Sequence, residues 1–262
     1  MLEEKVHEFT LPYAGGERKI RVYVPAHEDG ETFPVVYMTD GQNVFDDESS
    51  AFGSWHTREA VRAEREKSGR AAIIVGIHND GKPKERTDEL TPKSIGKLRG
   101  PLPLRIMVKP QGEIFDDFVV NTVMPAVGEK FPVKKEREFT AFCGSSSGGL
   151  QSYFTALSHP ELFCAAGVFS PAFTLFSNDD LRRFTTSCIR PRMPYLYIYS
   201  GDDGRLEKKI CKSTEAACEM LATYYPKNRF CKEICRGAPH NEGAWEPIFV
   251  KFLHRFLSAD QK

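Results

Sequence analysis

The chain has 262 residues, 40% hydrophobic and 27% charged, which is enough apolar material for one large core and unlike disordered or collagen-like chains. Thirty-six Lys and Arg balance 36 Asp and Glu, so no net positive field exists to hold phosphate backbones or anionic lipid. Neither a nucleic acid nor a membrane is expected as partner. The opening MLEEKVHEFT has no basic or apolar leader segment, and no run approaches a membrane span, so the expectation is a cytoplasmic protein. The seven cysteines, an odd number in a large chain, are expected to be reduced thiols.

Taken in chain order, short β-branched or aromatic runs alternate with amphipathic stretches, the pattern of a mostly parallel sheet covered by helices. The fold class is α/β. Strands are expected at 19–24, 34–38, 71–77, 138–143, 165–169, 195–199 and 229–235, with 6–10 as an additional antiparallel edge. Helices are expected at 55–67, 114–130, 147–158, 206–224 and 244–257, and Phe118, Val119, Val123 and Val127 form one apolar stripe. No repeat or Gly/Ser linker interrupts the chain, so it reads as a single domain over 1–262. Its one long irregular stretch, 79–112, is expected to form a loop near the active site.

Residues 144–148 read Gly-Ser-Ser-Ser-Gly between an expected strand and an expected helix. In that strand-turn-helix context GxSxG makes Ser146 a nucleophile raised on a strained turn, with the flanking glycines allowing close approach of the two elements. A serine hydroxyl needs a base and an acid to orient that base. On this fold they follow in the order Ser, acid, His, on loops after later strands. His240 is the histidine after the last expected strand. Asp202 and Asp203 follow the strand 195–199; Asp203 is preferred, with Asp202 as substitute, and a helix N-cap is the structural alternative. An oxyanion would be met by the Ser147 amide and by the Gln42 amide, with Gly41 permitting the approach.

Cys211, Cys218, Cys231 and Cys235 lack metal-site spacing, and no metal or other cofactor is expected. Trp55 and Trp245 are candidate stacking surfaces for an acyl group or sugar, though a core position is the commoner fate of tryptophan.

Several segments together resemble one esterase branch of the α/β-hydrolases, which includes esterase D, enterochelin esterases and feruloyl or acetyl-xylan esterases. They are Asp40-Gly41-Gln42-Asn43 with Phe45-Asp46, the run from Arg86 to Pro92, Gly144 to Gly149, His159 to Phe163, Ser170-Pro171-Ala172, and His240-Asn241-Glu242 with Trp245. The resemblance spans roughly 17–257 and implies a sheet of about eight strands, a Ser146–Asp203–His240 triad, and Gly41, Gln42 and Ser147 at the oxyanion. Arg86 and Glu89, in the second of those segments, are candidate substrate-binding residues. Leu90 and Ser147 depart from the branch, which often has an aromatic residue and a methionine there.

The expected activity is hydrolysis of a carboxylic ester through an acyl-enzyme, on a small-molecule or oligosaccharide ester such as a feruloyl or acetyl ester. Acyl transfer, siderophore-lactone cleavage and a non-catalytic binding role stay open, as does a homo-oligomer.

Overall fold

The computed structural model describes residues 2–50, 53–79, 81–100 and 106–258. The first strands, β1 (Lys5–Tyr13) and β2 (Gly16–Val24), pair from Tyr13↔Gly16 to Lys5↔Val24. Their two-residue loop is Ala14-Gly15, both at positive φ, as a primed hairpin turn requires. The hairpin extends both expected strands. Next come β3 (Val35–Met38), α1 (Thr57–Ser68), β4 (Ile73–Ile77) and α2 (Pro83–Glu89). Then α3 (Gly112–Phe118) and α4 (Met124–Lys130) run on through a π turn, Val119–Val123. The chain continues as β5 (Thr140–Ser145), α5 (Ser147–Ser158), β6 (Ala165–Phe169) and α6 (Asn178–Cys188). It ends with β7 (Tyr195–Gly201), α7 (Gly204–Tyr224), β8 (Phe230–Cys235) and α8 (Glu242–Leu257).

The strands form one sheet in the order β1-β2-β4-β3-β5-β6-β7-β8, antiparallel at β1/β2 and β2/β4 and parallel elsewhere. Every residue of β3, β4, β5, β6 and β7 is buried, as in a parallel sheet covered on both faces. The parallel strands therefore end at one common edge, where loops from distant parts of the chain meet.

Two expectations change. Residues 79–112 are not simply a loop: they hold α2, begun by Pro83 at its first turn, and a 3₁₀ turn, Lys93–Ile95. Positions 80 and 101–105 of that segment lie outside the described residues. Helix α6, absent from the sequence reading, starts with a reciprocal capping box between Ser177 and Asp180.

Candidate active site

Ser146 sits between β5 and α5 at φ 58°, ψ −121°, a conformation that side-chain-bearing residues rarely adopt. Its surroundings enforce it. The Ser146 N–H donates to the Phe169 carbonyl at 2.9 Å, and the Ser146 carbonyl accepts from Leu150 and Ala172. A β-carbon added to Gly144 would fall 2.7 Å from the Gly148 carbonyl oxygen, and one on Gly149 would fall 2.6 Å from that of Phe169. Glycine at those two positions lets strand and helix close on the turn.

His240 follows β8, at the same edge. Its Nδ1 lies 2.5 Å from Oε2 of Glu207, which is wholly buried in the first turn of α7. The carboxylate beside the imidazole is that of Glu207, not that of the expected Asp203 or its substitute Asp202. Asp203 caps α7, accepting from the Gly204 N–H at 2.8 Å, and its own N–H donates to the Ala238 carbonyl. Asp202 accepts from the Gly237 N–H at 2.6 Å. Both aspartates are occupied joining the loop after β7 to the loop that carries His240. A helix entered at Gly204 places the side chain one turn further on, at Glu207, back over the strand end.

The second Glu207 oxygen accepts from Ser170 Oγ at 2.6 Å, Ser200 Oγ at 3.0 Å and the Gly201 N–H at 2.7 Å. Burial pushes the Glu207 carboxyl up, but the hydrogen bonds from His240 and Ser170, the His240 charge and the Gly201 amide outweigh it and hold the group below the usual carboxylate range. Ser170 is itself at φ 40°, and its hydroxyl accepts from Trp245 Nε1 at 2.9 Å. The Trp245 ring meets the His240 ring edge to face, centroids 5.0 Å apart. One connected set of buried groups, Trp245–Ser170–Glu207, thus fixes the imidazole from the side and from below.

Trp245 and Trp55 are each 3% exposed. Trp55 stacks on Phe169 at 5.4 Å and lies against Trp245 at 5.7 Å. Neither presents a face to a ligand, so their expected stacking role gives way to packing beneath the site.

Arg86 and Glu89 are likewise committed within the protein. Arg86 forks onto both oxygens of Asp40, at 2.5 and 2.7 Å, and its Nη2 reaches the Ser145 carbonyl at 3.3 Å. Asp40, at φ 55°, also accepts from Asn79 Nδ2. Burial raises the Asp40 carboxyl, but Arg86 and these hydrogen bonds bring it below its ordinary value. Glu89 is buried against Arg18 at 2.9 Å. These pairs tie α2 to the turn that carries Ser146 and to β2, so both candidate substrate-binding residues have partners within the protein.

Gly41–Asn43 form a 3₁₀ turn after β3. A β-carbon on Gly41 would lie 2.6 Å from the Gly76 carbonyl oxygen, so glycine alone lets the turn lie on β4. Ser147, the first residue of α5, has no intrahelical acceptor for its N–H. The Gln42 side-chain carbonyl accepts from the Asn79 N–H at 3.3 Å and its main-chain carbonyl from Ser49 Oγ at 2.6 Å.

The family model described as "Putative esterase" matches residues 12–253. The chain belongs to this family of esterases. Membership places it among hydrolases of the carboxylesterase type. It is 23% identical to the uncharacterized protein YbbA of Bacillus subtilis over 259 residues, covering 92% of this chain and 93% of that protein. Its fold matches the BES protein from Bacillus cereus with TM-score 0.74 at 18% identity, over 99% of this chain and 97% of that one. The ferric enterobactin esterase of Salmonella typhimurium matches at 0.73 and 16% identity, over 98% of this chain and 59% of that one. Siderophore hydrolase EstA from Aspergillus nidulans matches at 0.72 and 19%, over 98% and 96%.

Proposed function

We propose that this esterase is a serine hydrolase, a single domain over 1–262, in which Ser146 is the nucleophile, His240 the general base and Glu207 the acid that orients it. The observation that carries the reading is the Glu207–His240 contact at 2.5 Å, between the segments that follow the parallel strands β7 and β8, at the sheet edge where the turn between β5 and α5 holds Ser146 at φ 58°. With Nδ1 engaged by Glu207, Nε2 is the imidazole atom left to take the Ser146 proton. The serine oxygen adds to the ester carbonyl carbon, and the carbonyl electron pair moves onto oxygen, facing the amides of Gln42 and Ser147. Collapse breaks the bond to the alcohol oxygen, which leaves with the proton from Nε2. Water, deprotonated by His240, then releases the acid and restores Ser146.

The substrate we propose is a small or oligosaccharide carboxylic ester with an acetyl- or feruloyl-type acyl group. Incubation with a fluorophosphonate probe and with p-nitrophenyl acetate tests the chemistry: labelling at Ser146 and turnover, both lost in Ser146→Ala, are expected. A folded protein that neither labels nor turns over would exclude it. A panel of acetyl, feruloyl and catecholate-lactone esters, with and without an alcohol acceptor, then sorts substrate and distinguishes hydrolysis from acyl transfer.

A further inference from the structure

Glu242 lies two residues beyond His240 and is buried, yet it takes no part in the chemistry above. Its Oε1 accepts from Asn43 Nδ2 at 2.8 Å, a side-chain bond across 199 positions of sequence. Asn43 is the neighbour of Gln42, and each of its other polar groups is also engaged. Its N–H donates to the Asp40 carbonyl at 2.8 Å, its Oδ1 accepts from Ser50 Oγ at 3.0 Å, and its carbonyl accepts from Trp55 N–H at 2.9 Å and Ser54 Oγ at 3.0 Å. A residue so fully bonded is fixed in place, and Glu242 is the partner through which that fixity reaches the histidine loop.

We propose that Asn43 and Glu242 form a positioning clamp that sets the Gln42 amide relative to His240, so that the oxyanion donor and the general base keep one geometry. The inference rests on the serine-hydrolase reading and deepens it. Both halves of the machinery sit on turns, Gly41–Asn43 after β3 and the His240 loop after β8, on strands that are not neighbours in the sheet. Burial raises the Glu242 carboxyl, Asp40 adds to that, and the Asn43 bond and Arg86 oppose it, so an acid is kept here at an energetic cost. The cost has a reason if the site needs this bond. Glu242 touches no reacting atom and acts through Asn43 and Gln42.

The test reverses the bond. Asn43→Asp alone sets two carboxylates face to face, and Glu242→Ala removes the acceptor. Each should lower kcat on p-nitrophenyl acetate by about 10- to 100-fold with KM changed less than about threefold, and should speed hydrogen exchange in the 41–44 segment. Asn43→Asp combined with Glu242→Gln lets the new amide donate to the new carboxylate. It should return kcat to within about threefold of wild type and restore exchange protection. A folded double variant that recovers neither, or single variants whose 41–44 exchange is unchanged, would overturn the clamp. If Glu242→Ala does not fold, the Asn43→Asp and double variants decide. If wild-type protein shows no turnover, the serine-hydrolase reading fails, and hydrogen exchange alone still judges the clamp.

Discussion

Glu207 and His240 are joined at 2.5 Å although one belongs to a helix and the other to a loop. The imidazole therefore depends on how α7 enters the sheet edge as much as on its own strand. Replacing Glu207 with Gln should lower kcat on an activated ester by about a thousandfold or more, since an amide supports the wrong tautomer. Asp203→Ala should leave kcat within about threefold and cost about 1 kcal/mol of stability as a lost helix cap. Steady-state kinetics on the two variants separates them, and a reversed ranking would reinstate Asp203.

Trp245 supports the imidazole through the edge-to-face contact of the two rings and, by way of Ser170, through Glu207. Trp245→Phe keeps most of the packing and deletes the Nε1 donor. We expect a kcat loss of roughly tenfold, because one hydrogen bond worth about 1 kcal/mol is lost along with the ordering of its neighbours. KM for a small ester should stay unchanged, as a tryptophan beneath the site requires; a large KM increase would restore it to the substrate surface.

Arg86 neutralises a buried carboxylate. Arg86→Ala strands Asp40 and should cost about 3–5 kcal/mol, read as a fall in melting temperature of roughly 6–15 °C. Asp40→Asn combined with Arg86→Met removes both charges together and should lose less than the single change. Equal losses would mean that the pair is not the source of the effect.

His159 gives a pH dependence of defined sign. Its hydrogen bond to Asp116 at 2.7 Å, working against burial and helped by the Asp116 and Glu161 charges, raises its proton affinity above the ordinary histidine value of 6.5. A raised folded value means that the stabilisation is fully present below 6.5 and disappears as pH climbs through the folded value. Denaturant midpoints measured from about pH 5.5 to 9 should fall more for wild type than for His159→Gln. Parallel curves would refute the assignment.

The sheet and the turn at Ser146 were legible because both announce themselves locally. Uniformly apolar runs such as Ile73–Ile77 can only be buried strands, and Gly144 to Gly148 between a strand and a helix has few other uses. The carboxylate that meets His240 was hidden because position along the chain is a poor guide once a helix begins. Asp202 and Asp203 occupy the expected loop, but Gly204 starts α7 at once, and one helical turn brings Glu207 back to the edge. Asp203 followed by a glycine and a periodic helix is an N-cap pattern, and that was the available sign. The partners of Arg86 and Glu89 lie 46 and 71 positions away, and no spacing rule reveals a pairing made by the tertiary fold. The tryptophans' burial follows from the aromatic layer of Phe169, Trp55 and Phe249, whose assembly no single segment encodes.

The contact between Gly41 and Gly76 bears on how this fold can vary over evolution. Two main chains touch there with no side chain between them, so neither position can be substituted without prising the turn away from the strand below. Diversification has to proceed around that seam, through the residues that shape the mouth. An engineer seeking a new acyl preference should leave both glycines alone and mutate the rim.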